Sequence, residues 1–245
     1  MRKVFKLFTT HYSKIIKSLA FTLAEVVLVM GIIGVVGVLA VSNAKKDTDT
    51  TEKVAQLRKT YDILNTAFAQ AVTENGDINT WGPNSPSATM ETIYPYLKLL
   101  KNCGTGTGCW KSGEQVGIGG SETSSDIDSS NQYSKAILSN GASIAGGWFI
   151  DHGDDESVDI LFDILVDVNG KKGLNMFGND IFGFGLKKDG ELVPFYTPNI
   201  KSGEGYPTCQ RIGIYCTAWV IRFGNMDYLK SCGSSLSWSG DHSCR

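Results

Sequence analysis

The chain has 245 residues, of which 42% are hydrophobic and 20% charged, with a formal net charge of −2. That length suffices for one domain with a real core plus an anchoring segment, and the near-neutral balance excludes a globally basic nucleic-acid or anionic-membrane binder. The charge is uneven, however: no acidic residue precedes Glu25, whereas Arg2, Lys3, Lys6, Lys14 and Lys17 do, and without residues 1–20 the formal charge would be −7.

The first predicted element is an apolar run from Phe21 to Val41, interrupted only by Thr22 and Glu25. It matches the roughly 20 residues with which a helix crosses a hydrocarbon core. It is too long for an ordinary secretory core and lacks a small-x-small cleavage pattern behind it. Basic residues lie on its N-terminal side, so the positive-inside rule places that end in the cytoplasm and sends the remainder outward.

Glu25 stands inside this run, where a carboxylate costs about 2.5–3.5 kcal/mol on insertion scales. One reading is a first-turn acid reaching water. The other is a carboxylate awaiting a cation from a second subunit: a chain cut before Phe21 would carry a free ammonium at the start of the same helix, and a staggered bundle could pair that amine with the next subunit's Glu25. Gly31, Gly34 and Gly37, with Ala40, add small residues every third position, which let helix backbones approach closely.

Lys17-Ser18-Leu19-Ala20 followed by Phe21-Thr22-Leu23-Ala24-Glu25 resembles the class III signal of type IV prepilins and type II secretion pseudopilins. The resemblance implies cleavage by a prepilin peptidase between Ala20 and Phe21 and N-methylation of the new Phe21 amine. It implies that Glu25 serves methylation and subunit register, and that the helix melts locally near Gly34 as the subunit enters the filament. The family usually has glycine before the cut, where this chain has Ala20; the proline often found beyond the glycines is absent, and Ser42-Asn43 stands there. The implied partners are other pilin or pseudopilin subunits, the peptidase and an inner-membrane assembly platform. The implied location is the cytoplasmic membrane, with the head outside.

Beyond residue 41 the helix is predicted to continue to about residue 75. Val54, Leu57, Tyr61, Leu64, Phe68 and Ala71 step by three and four along one face, and Asn75-Gly76 is a C-terminal stop. This stripe must bury itself, most simply against a β-sheet. The predicted organisation is therefore a leader (1–20), a transmembrane assembly helix (21–41), its amphipathic continuation (42–75) and a head (76–245). The fold class is α+β, a long helix on an antiparallel sheet.

In the head, residues 90–100 read as a short helix and 113–130 as an exposed polar loop. Strands are expected at 144–150, 158–168, 181–187, 192–196 and 218–223, with Lys188-Asp189-Gly190 as a hairpin turn. Six cysteines, Cys103, Cys109, Cys209, Cys216, Cys232 and Cys244, indicate disulfides and an oxidising compartment. Fifteen pairings exist in principle; neighbour pairing closes short Gly-, Ser- or Thr-rich loops.

Asp163, Asp167, Asn169 and Asp180 surround the stretch Asp-Val-Asn-Gly-Lys-Lys-Gly-Leu-Asn. Hard oxygen ligands at alternate positions of a turn are what calcium requires. The same residues also suit an Asx-stabilised turn into the next strand. His152, in an acidic patch at 151–156, reads as a solvated loop. No catalytic ordering of Ser, His, Cys or paired carboxylates stands out, so the expectation is a structural subunit and not an enzyme. The alternatives are a minor type IV pilin that contacts surfaces or incoming DNA, and a solitary signal-anchored receptor or hydrolase. No basic-aromatic stripe for nucleic acid is present.

Overall fold

The computed structural model describes residues 23–82, 85–120, 122–124, 126–147, 160–173, 175–187, 189–195, 209–210 and 213–244, with side chains at these positions except 25, 34–47, 79, 86 and 122–124. The chain divides into two compact units, Met1–Asp49 and Thr50–Arg245.

Helix α1 spans Leu23–Asn75. In the first unit it exposes large apolar side chains, among them Leu23, Val27, Leu28, Met30, Ile32 and Ile33. Among the described residues no helix is long and apolar enough to cross a membrane. Of the run Phe21–Val41, side chains are described only at residues 23, 24 and 26–33.

In the second unit α1 carries the predicted stripe. Val54, Leu57, Leu64, Phe68 and Ala71 are buried, joined by Thr60 and Ala67, while Tyr61 stacks on Phe184 with ring centroids 5.3 Å apart. Polar bonds fix the helix in place at the rim. Gln56 Nε2 donates to the Asn140 carbonyl at 2.8 Å, Asn140 Nδ2 donates to Thr60 Oγ1 at 3.0 Å, and the Tyr61 hydroxyl donates to the Leu192 carbonyl at 3.2 Å.

Helix α2 (Pro86–Ile93) starts on a Ser85 N-cap whose side chain accepts from the Ala88 N–H, and proline opens its first turn. Both features satisfy or dispense with N–H groups that a helix start leaves unpaired. The element falls earlier than expected, because Tyr94–Tyr96 tightens into a 3-10 turn and residues 99–104 go on as a strand.

The strands are β1 (Leu99–Gly104), β2 (Gln115–Gly117), β3 (Glu122–Ser124), β4 (Ser134–Leu138), β5 (Ser143–Gly147), β6 (Ile160–Asp167), β7 (Met176–Phe177), β8 (Ile181–Lys187) and β9 (Leu192–Pro194). They form one sheet of order β1-β4-β5-β6-β8-β7-β2-β3, with β9 also paired to β8. The expectation of a purely antiparallel sheet is corrected: β2 runs parallel to β7, and β7 parallel to β8. The β7–β8 pairing is a single bridge, Phe177 to Ile181, inside the turn that joins them, and β2 pairs with β7 on its other side.

One face of the sheet packs on α1. Ile144, Phe162, Ile164, Val166, Phe182, Phe184 and Leu186 share a core with Leu57, Leu64 and Phe68. The alternate residues form a smaller cluster on the other face, Ala145, Leu165 and Ile181 with Trp110, Ile127 and Phe177. Period-two alternation of the strands sets this division.

Three further expectations are revised. Residues 113–130 are not an exposed loop: β2 and β3 lie within them, and Gln115, Ile127 and Asp128 are buried. Residues 218–223 are not a strand but helix α3 (Thr217–Phe223), preceded by a 3-10 turn at Ile214–Cys216. A short, mostly apolar run such as Ala-Trp-Val-Ile-Arg-Phe fits either state. Here Gly213, at φ 88°, lies so close to Phe177 that a Cβ would sit 1.9 Å from its carbonyl oxygen. That contact starts a turn where a strand would have to run straight. Of the expected turn, Lys188 lies outside the described residues; the chain reverses between Lys187 and Glu191, with the Gly190 N–H on the Lys187 carbonyl at 3.0 Å and the Lys187 N–H on the Glu191 carbonyl at 2.9 Å.

Candidate functional site

The residues expected to matter at the membrane end are only partly within view. Ala20 and Phe21 lie outside the described residues. Glu25 and Gly34 lie on the α1 backbone, and the Glu25 side chain is outside the described set. His152 and its acidic patch also lie outside it.

The cysteines pair as neighbours: Cys103–Cys109, Cys209–Cys216 and Cys232–Cys244, with Cα separations of 5.9, 4.8 and 5.9 Å. The first bridge belongs to a polar hub on the sheet face away from α1. Asp128 accepts from the N–H groups of Gly108 at 2.8 Å and Trp110 at 3.0 Å, and from the Ser112 hydroxyl at 3.2 Å. Burial pushes its carboxyl up, but the Trp110 and Gly108 N–H groups, the Ser112 hydroxyl and the Lys135 charge together hold it below the ordinary carboxylate value. Lys135 is fully buried. Its Nζ donates to the carbonyls of Thr105, Ile127, Asp128 and Ser130 at 3.3, 3.2, 2.9 and 2.6 Å. The sequence singles out neither residue: Asp128 falls in the stretch 113–130 read as an exposed polar loop, and Lys135 falls outside every predicted element.

The second polar concentration contains the expected oxygen-rich residues. Asp167 ends β6, Asn169 follows in the turn, and Asp180 immediately precedes β8. Asp167 Oδ1 accepts from the Asn169 N–H at 3.1 Å, an Asx turn. Asp180 Oδ1 accepts from the Met176 N–H at 2.7 Å, and its Oδ2 from Asn169 Nδ2 at 3.2 Å. Burial, reinforced by the neighbouring Asp180 charge, pushes the Asp167 carboxyl up to about 8, against the Asn169 and Gly170 N–H groups and Lys111. Burial raises Asp180 to about 6, against the Met176 N–H, Lys53 and the Asn169 amide.

Asp163 does not join them. It sits four residues earlier on β6, about 13 Å away at the strand rise of 3.3 Å per residue, opposite Gly147 on β5 and Gly185 on β8. Burial alone pushes its carboxyl up to about 8, and its Oδ1 has no hydrogen-bond partner. In its place the fold supplies Ser143, the direct cross-strand partner of Asp167. The only sequence signal for Ser143 is its place just after the Asn140-Gly141 turn, too common a setting to single it out.

Among the described residues no three His, Cys, Asp or Glu side chains gather as a metal cluster. The corner at Asp167 and Asp180 therefore has the donors of a hard-cation or hydrogen-bonding site, two carboxylates with an amide and a hydroxyl, and not those of a zinc site. No protein-family model, no curated protein and no solved structure matches this chain.

Proposed function

We propose that the chain is a structural subunit of a type IV pilus-like or type II secretion pseudopilus filament, cut before Phe21, N-methylated there and assembled through its N-terminal helix. The observation that carries this reading is the sequence Lys17-Ser-Leu-Ala20 / Phe21-Thr-Leu-Ala-Glu25 at the head of an apolar run. Support comes from the continuity of helix from Leu23 to Asn75 and from the second half of that helix serving as the spine of an α+β head. Three disulfides suit a head that lies outside the cytoplasm.

In this reading Glu25 is the register pin. Alone in the apolar phase its carboxylate is unfavourable by about 2.5–3.5 kcal/mol; facing the Phe21 ammonium of the next subunit, both charges are neutralised. The pair forms only at one axial stagger, so its energy selects that stagger. Gly31, Gly34 and Gly37 let neighbouring helices approach closely enough for the pair to meet.

Mass spectrometry of assembled material tests the reading. The expected mature chain begins at methylated Phe21; an intact Met1 in filaments would refute it. A Glu25→Ala variant is expected to reach the membrane but not to assemble, and normal assembly would remove the charge-pairing mechanism.

A further inference from the structure

Four lysines gather around two backbone carbonyls at one place on the head. Lys101 Nζ, from β1, and Lys171 Nζ, from the stretch between β6 and β8, both donate to the Gly108 carbonyl, at 3.2 and 3.4 Å. Lys111 Nζ donates to the Gly173 carbonyl, and Lys172, next in the chain to Lys171, is exposed. Two bonds to one oxygen put the Lys101 and Lys171 ammonium groups no more than about 6.6 Å apart. None of the four is ion-paired with a carboxylate among the described residues. The meeting point is fixed: the Gly108 N–H is held by Asp128 Oδ1 at 2.8 Å, and the Cys103–Cys109 bridge closes the loop on which Gly108 stands.

An outward apolar side chain adjoins the cluster. Leu100 precedes Lys101 and is 73% exposed; among the described residues of the second unit the only other exposed large apolar side chain is Leu229, at 37%. The pairing of β1 with β4 skips Leu100, since Leu99 lies opposite Leu138 and Lys101 opposite Ile137. A bulge of this kind re-aims a side chain out of its alternating place. The same patch is tied to the start of the head. Lys53, in the first turn of α1 within the second unit, donates to Asn179 Oδ1 at 3.2 Å, and Asn179 lies in the stretch that carries Lys171 and Lys172. Nine residues lead from Val41, where the apolar run ends, to Thr50, a leash of at most about 32 Å.

We propose that Lys101, Lys111, Lys171 and Lys172, with Leu100, form a docking surface for anionic phospholipid that holds the head against the bilayer anchoring the chain. The proposal rests on the reading that residues 21–41 enter a membrane. Two charge-assisted N–H···O contacts of about 2.8 Å to one lipid phosphate span the interval between the Lys101 and Lys171 ammonium groups, and a leucine among lysines suits the boundary between headgroups and acyl chains. A nucleic-acid backbone would engage the lysines but make no use of Leu100 or of the leash. General attraction is not the source of binding, because Asp49 and Glu52 stand exposed on α1 close by in the chain; the local cluster is.

The test reconstitutes the full chain, disulfides intact, into vesicles of neutral phosphatidylcholine and into vesicles that also contain phosphatidylglycerol, and reads backbone hydrogen exchange by mass spectrometry. Exchange at 99–104 and 170–173 is expected to slow severalfold with phosphatidylglycerol only. It should return to the neutral-vesicle rate in about 1 M salt, where the Debye length falls to about 3 Å. Lys101→Gln combined with Lys171→Gln should abolish the slowing, Lys101→Arg combined with Lys171→Arg should keep it, and Leu100→Ser should reduce it. Equal exchange in the two kinds of vesicle overturns the proposal. So does equal slowing in neutral vesicles on adding inorganic phosphate, which would mark a free-anion site, or a single-stranded oligonucleotide, which would mark a nucleic-acid site. Vesicle flotation separates this outcome from the filament reading. A chain that floats with both vesicles and exchanges alike in them keeps its anchor and loses the patch; one that floats only with phosphatidylglycerol keeps the patch and loses the anchor; one that floats with neither loses both.

Discussion

The two faces of the head's sheet are held by different physics. Against α1 the contacts are apolar and continuous, Leu57, Leu64 and Phe68 meeting Phe162, Ile164, Phe182 and Phe184. On the opposite face the apolar cluster is small and is interleaved with ionisable groups: buried Lys135 from β4, and buried Asp167 with half-buried Asp163 from β6, beside loops pinned by Asp128. The helix face is expected to tolerate a change of pH, because the described side chains that meet there are apolar. The loop face is not, and its stability depends on every polar group finding its partner.

The largest expected effect tests that contrast by pH. Asp163 is raised to about 8 by burial, whereas in the unfolded chain it ionises near the ordinary carboxylate value of about 4. Folding is therefore favoured fully while both states are protonated, and stability is lost as pH rises from about 4 through 8. Asp163→Asn should flatten this dependence in urea denaturation, with a gain at pH 8 on the order of 5 kcal/mol as its ceiling. Unchanged pH dependence would mean the carboxyl reaches water.

Next comes the helix face. Leu64→Ala should lower stability by about 3–4 kcal/mol at any pH, since Leu64 is fully buried; a loss that varied with pH would blur the division between the faces. Lys135→Met follows, at about 3 kcal/mol, because it strips four carbonyls of their donor and Asp128 of a neighbouring positive charge. A neutral result by chemical denaturation would show that water replaces the ammonium readily. The smallest is Ser85→Ala, which removes the cap of α2 and should cost about 1 kcal/mol without touching either face.

Much of this was legible in the sequence. The stripe from Val54 to Ala71 announced a buried helix face, because a 3.6-residue repeat survives whatever it packs against. The strand at 181–187 matched its boundaries, and the Asp189-Gly190 turn declared itself by its residue types. The loop face was less legible. Residues 113–130 looked solvated because Gln115, Asp128 and their Gly and Ser neighbours are polar or small, and no local rule reveals that the fold turns Gln115 and Asp128 inward. Residues 218–223 were apolar enough for a strand, and the close approach of Gly213 to Phe177, 36 positions apart in the chain, made them a helix.

The feature most particular to this protein lies at the other end, in Ala20, Phe21 and Glu25. The proposed reading of that end rests on the sequence alone, since the motif is local: basic residues, a small residue before an aromatic one, an acid at fixed spacing and an apolar run. The sequence by itself determined the helical period of the spine and the stock of oxygen-bearing side chains around Asp167. Only the tertiary structure decided which of those side chains share a corner. It replaced Asp163 with Ser143 because cross-strand register, and not distance along the chain, sets neighbours in a sheet.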